Sequence, residues 1–93
     1  MRYFIELSYN GTNYHGWQVQ PNVISVQEKI NDGLSKLLKE SINIMGAGRT
    51  DAGVHASQMY AHFDYDNEID IKYLIDRLNS FLPDDIVIYK IFP

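Results

Sequence analysis

Residues 46–56, GAGRTDAGVHA, gather three of the chain's six glycines around one arginine and one aspartate, with no hydrophobic period of either kind. Arg49 and Asp51 stand two positions apart, so in extended backbone their side chains point the same way. A guanidinium there keeps the carboxylate ionised and orients it. An oriented carboxylate serves as a nucleophile or as a base. Gly46, Gly48 and Gly53 carry no Cβ, which lets a bulky substrate approach the main chain. The same residues also describe a plain turn, Thr50-Asp51-Ala52-Gly53, with Asp51 bonding its own backbone.

Other chemistries fit the string less well. A P-loop needs Lys and Ser/Thr after its glycine, whereas Gly53 is followed by Val54 and His55. A dinucleotide fingerprint begun at Gly46 needs glycine at position 51, where the aspartate stands. His15, Asp51, His55 and His62 match no metal-ligand spacing, so no metal is expected. Thr50 and Ser57 have no base partner at a fixed offset, which leaves both poor nucleophiles. The other long loop, NGTNYHGWQVQPN (10–22), offers Tyr14, His15, Trp17 and Gln18 as stacking and hydrogen-bonding groups. Tyr14 and Trp17 serve equally well to pin that loop to the core.

Six elements must position these groups. RYFIELSY (2–9) alternates, with Tyr3, Ile5, Leu7 and Tyr9 on one face, and reads as a strand. SVQEKINDGLSKLLKE (25–40) opens with a capping box between Ser25 and Glu28 and carries the stripe Val26, Ile30, Leu34, Leu37, Leu38. Gly33 weakens that helix by up to about 1 kcal/mol against alanine, which points to a close packing contact there. INIMG (42–46) reads as a short strand, and SQMYAHFDY (57–65) alternates again. Asp70 caps a helix over IKYLIDRLNSFL that Pro83 ends, and DIVIYKIF (85–92) closes as a strand. Phe81 and Tyr89 are expected in the core.

Strand, helix, strand, strand, helix, strand predicts an α+β fold, the ferredoxin-like split βαβ sandwich. It has one four-stranded antiparallel sheet with both helices on one face. The inward face then holds Tyr3, Ile5, Leu7, Met59, Ala61 and Phe63. The open face carries Phe4, Glu6, Tyr60 and His62, and is only half polar, as if something else covers it. At 93 residues the chain is a single domain (1–93). It has no cysteine and no apolar run long enough to span a membrane, so the reducing cytoplasm is the expected compartment. A net charge of −4 argues against an autonomous nucleic-acid binder.

GRTDAGVHA resembles the signature loop of the tRNA pseudouridine synthase A family. YNGTNYHGWQVQP is similar to the family's first loop, SVQEKI to the start of its first helix and LPDDIVI to the entry into its fourth strand. The resemblance implies a cofactor-free isomerase that converts uridine to pseudouridine in the anticodon arm of tRNA. It places the essential aspartate at Asp51 and a base-exposing, aspartate-holding arginine at Arg49. Thr50, Tyr14, His15, Trp17, Gln18 and His55 are the candidate substrate-binding groups, His55 more as a loop-stabilising residue than a proton shuttle. Members of the family continue past the equivalent of Pro93 into a second half that supplies a pocket tyrosine, basic surface and most homodimer contacts. The chain is therefore expected to be the amino-terminal portion of a synthase, inactive alone, and the missing half explains its acidic balance. The alternative is a non-catalytic ferredoxin-like RNA-binding module, but SQMYAHFDY lacks the RNP1-like string that reading needs.

Overall fold

The computed structural model describes residues 1–11, 14, 17, 25–46 and 56–93, apart from the side chains of residues 56 and 57. In chain order the elements are β1 (Arg2–Tyr9), α1 (Val26–Leu38), β2 (Met45–Gly46), β3 (Ala56–Asp64), α2 (Ile71–Phe81) and β4 (Ile86–Phe92). The strands form one antiparallel sheet in the order β2-β3-β1-β4. Ile30, Leu34, Leu74 and Leu78 join Tyr3, Ile5, Leu7, Ala61 and Phe63 in a single core, so both helices lie on one face of the sheet. This is the ferredoxin-like arrangement expected from the order of elements.

Local chemistry explains the boundaries. Ser25 caps α1 by accepting a hydrogen bond from the Glu28 N–H at 3.2 Å, and Asp70 caps α2 through the Tyr73 N–H. Lys39 closes α1 in the left-handed region at φ 59°, directly after Leu38, the last residue of the apolar stripe. Gly33 is where the helices meet. A Cβ there would sit 2.7 Å from Leu78 Cδ1 and 3.0 Å from the Phe81 ring.

Three expectations are corrected. The strand drawn over 42–46 pairs with β3 only at Met45 and Gly46. Its first three residues are held by α1 side chains instead. Ser35 Oγ accepts from the Ile42 N–H at 2.9 Å, Asn31 Oδ1 accepts from the Ile44 N–H at 2.8 Å, and the Gln27 amide donates to the Ile44 carbonyl at 2.5 Å. Asn31→Leu keeps the branched shape of the side chain but leaves the buried Ile44 N–H unpaired. Denaturant melts should show a loss of about 1–3 kcal/mol.

Phe81 and Tyr89 are not core residues; both are about half exposed. Phe81 ends α2 at the rim of the helix pair, with the Lys36 ammonium 5.1 Å from its ring centroid. Tyr89 is the extra residue of a β-bulge, because Glu6 pairs with Lys90 while Leu7 pairs with Ile88. Its hydroxyl meets Ser8 Oγ at 2.9 Å on the open face. Beside the bulge, Asn79 pairs with both the N–H and the carbonyl of Ile88, at 2.8 and 2.9 Å, and so satisfies the edge strand at that residue.

Candidate functional site

The sheet sends its two long connections out at one end. Tyr9, the last residue of β1, is paired with Ala56 at the start of β3 and with Ile86 at the start of β4. Segment 10–24 therefore leaves beside the point where segment 47–55 returns. Arg49, Thr50, Asp51 and His55 lie outside the described residues, as do His15 and Gln18. What the structure gives is the frame that holds both connections.

Trp17 is the centre of that frame. It is 2% exposed, its ring lies 6.3 Å from Tyr9 at an interplanar angle of 29°, and its carbonyl accepts from the Gln27 N–H at 2.9 Å. The indole occupies the space where a Cβ on Gly46 would stand, 2.5 Å from Nε1 and 2.8 Å from Cε2. The first glycine of GAGRTDAGVHA is thus a seat for a tryptophan from the other connection. Gln27 joins the two bases, since its N–H holds Trp17 and its side chain holds Ile44.

Tyr14 is the second anchor. It is buried and donates its hydroxyl hydrogen to Asp85 Oδ1 at 2.5 Å, while the Asp85 carbonyl accepts from the Asn10 N–H. Of the two roles open to Tyr14 and Trp17 in the sequence, the geometry gives both the anchoring one. Burial, then the hydrogen bond and charge of Asp85, push the Tyr14 phenol well above the ordinary tyrosine range. The sign follows from which state loses its proton first. Below about pH 10 both states keep it and the contribution is complete. Above that the unfolded chain ionises first, so stability falls as pH rises. Tyr14→Phe should cost about 1–2 kcal/mol at neutral pH and flatten the alkaline limb of a pH–Tm profile.

The open face is an ordered aromatic and polar surface. Phe4 lies 5.7 Å from Phe92 and 6.1 Å from His62, a row of rings across β4, β1 and β3. Along the next row Glu6 pairs with both Tyr60 and Lys90. A groove of about 480 Å³ runs over Glu6, Tyr60, Tyr89, Lys90 and Phe92 and is also lined by Ile75 of α2 and Ile91. A smaller hollow of about 150 Å³, lined by Phe4, Tyr60, Ala61 and His62, reaches Gly46, where segment 47–55 departs.

Comparison with curated proteins identifies the frame. The chain is 60% identical over 92 residues to a tRNA pseudouridine synthase A of Azobacteroides pseudotrichonymphae genomovar. CFP2, covering 99% of this chain and 37% of that protein. It is 56% identical over 90 residues to the tRNA pseudouridine synthase A of Bacteroides thetaiotaomicron, covering 97% of this chain and 34% of the relative. This chain belongs to the tRNA pseudouridine synthase A family. A more distant tRNA pseudouridine synthase A, from Geobacter sulfurreducens, is 51% identical over 82 residues, or 88% of this chain and 34% of its own length. No protein-family model matches. The chain spans little more than a third of these relatives and corresponds to their amino-terminal part.

The motifs that carry the family resemblance have physical reasons in the fold. Asp85 of LPDDIVI holds Tyr14 of YNGTNYHGWQVQP, and Gln27 of SVQEKI holds Trp17. Sequence reasoning missed Asp85 and Gln27, because an aspartate after Pro83 reads as a turn former and a glutamine in a first helical turn as a solvated side chain. Among the described residues no helix is long and apolar enough to cross a membrane.

Proposed function

We propose that this chain is the carboxylate-bearing portion of a tRNA pseudouridine synthase that isomerises uridine to pseudouridine in the anticodon arm of tRNA, with Asp51 as the essential carboxylate. The observation that supports the reading is 60% identity over 99% of the chain to a protein named tRNA pseudouridine synthase A. The presence of GRTDAGVHA in the sequence agrees with it. In the reaction the bond from C1′ to uracil N1 breaks, the base turns, C1′ bonds to C5, C5 gives up its proton and N1 takes one up. The isomerisation needs a carboxylate that attacks or deprotonates, and Asp51 fills that role beside Arg49.

A base inside a stack is out of reach and is flipped out at a cost of a few kcal/mol. Arg49 fills the vacated space or grips a phosphate, and Thr50, His15, Gln18 and His55 are the remaining contacts in this reading. The net charge of −4 leaves the basic surface for tRNA to the rest of the longer protein, which the family resemblance makes a cytoplasmic homodimer. Radiolabel release from C5-tritiated tRNA tests the reading. A full-length chain, made by joining residues 1–93 to the remainder of the Azobacteroides relative, should form pseudouridine. The 93-residue chain should form none and bind tRNA weakly, with affinity falling steeply as salt rises. Turnover by the short chain, or none by the full-length one, refutes the proposal.

A further inference from the structure

We propose that Trp17 is a positioning residue for the reaction at segment 46–56, acting through Gly46; this rests on reading that segment as the one that carries the chemistry. The indole is braced on several sides. Tyr9 stacks beside it, Gln27 holds its carbonyl, and the ring is buried against the core. Its burial and the Tyr9 ring limit how far it can retreat from Gly46. The third close neighbour of a Cβ at position 46, Met59 Cε at 2.6 Å, is the end of a flexible side chain and swings aside. A Cβ at 46 is therefore relieved by the tryptophan ring or by the main chain at 46 itself. That main chain is the last described point before Asp51, and Ile44 just ahead of it is fixed by the Gln27 amide. The direction in which the segment leaves the sheet is set against the indole. An error on the order of 1 Å in the position of a reacting group costs about 100-fold in rate.

The chain has one tryptophan, so its emission reports this contact directly. In the 93-residue chain Gly46→Ala should shift the emission to the red and raise acrylamide quenching, with the far-UV spectrum retained. In the full-length chain, at a temperature where every variant is folded, Gly46→Ala should lower kcat about 100-fold with KM for tRNA little changed. Gly46→Ala combined with Trp17→Phe, which makes room for the added methyl, should recover part of the lost kcat. A contact that only fills the core would lower Tm and leave kcat alone. Wild-type kcat in a folded Gly46→Ala chain overturns the proposal, as does a double variant no faster than the single one. Should Gly46→Ala fail to fold, Trp17→Phe alone decides: a reduced kcat at unchanged KM supports positioning and a wild-type kcat refutes it. Asp51→Asn is assayed alongside. If it stays active, the reading of the segment has failed, and that result is separate from any result at Gly46.

Discussion

Asp51→Asn in a full-length chain should abolish pseudouridine formation, by more than about 1,000-fold, while tRNA affinity and Tm stay almost unchanged. Asparagine keeps the size of the side chain and most of its hydrogen bonds. It removes the charge and the oxygen that attacks or accepts a proton. The competing account, that Asp51 only shapes a turn, predicts the opposite result, because asparagine makes the same local bonds to its own backbone. One assay at saturating tRNA separates them, and substantial product from the Asn variant returns Asp51 to the turn. Arg49→Lys is the companion. It keeps the positive charge but loses the planar fork that holds a carboxylate or phosphate through two bonds, so the rate should fall more than the binding.

The parts of the fold legible in the sequence were those fixed by periodicity and by end signals. Tyr3, Ile5, Leu7 and Tyr9 alternate and are all buried, and Ser25 and Asp70 stand at the helix starts they predict. What escaped were places where side chains replace backbone pairing or where the period breaks. Residues 42–44 look like strand because Ile42 and Ile44 alternate about Asn43, yet Asn31, Ser35 and Gln27 hold their backbone. A helix side chain bonding a distant main chain leaves no mark in hydropathy. Tyr89 escaped because a bulge changes which face a residue meets, and nothing in IVIYKIF announces the extra residue.

At the candidate site the same limit applies. The sequence offered Tyr14 and Trp17 to a nucleic-acid base or to the core with equal chemistry, since an aromatic ring with a polar edge suits both. Only their neighbours decide, and those neighbours, Asp85 and Gly46, are 71 and 29 positions away. GRTDAGVHA drew attention for a different reason. Its composition fits no regular element, so it stood out as a place where packing does not explain the residues.

Leu78→Ala should be the most damaging of the single core changes considered, and its companion at Gly33 should change sign with it. Leu78 is fully buried, and truncating such a leucine costs about 2–5 kcal/mol, partly from the cavity left behind. In a domain of this size each kcal/mol moves Tm by about 4–8 °C, so melting should fall by roughly 10 °C or more. Gly33→Ala in the wild type gains up to about 1 kcal/mol of helix propensity. Against that stands a methyl placed 2.7 Å from Leu78 Cδ1, in a core that cannot yield, where overpacking costs about 1–3 kcal/mol. The net effect should be destabilising. In the Leu78→Ala background the obstructing carbon is gone. The nearest remaining atoms belong to Phe81, which is half exposed and free to turn outward. The same Gly33→Ala change should then stabilise, by about 1 kcal/mol, through propensity and by filling part of the cavity. A double-mutant cycle by urea denaturation measures both signs. Additive effects would mean that Gly33 is not the contact that brings the two helices together.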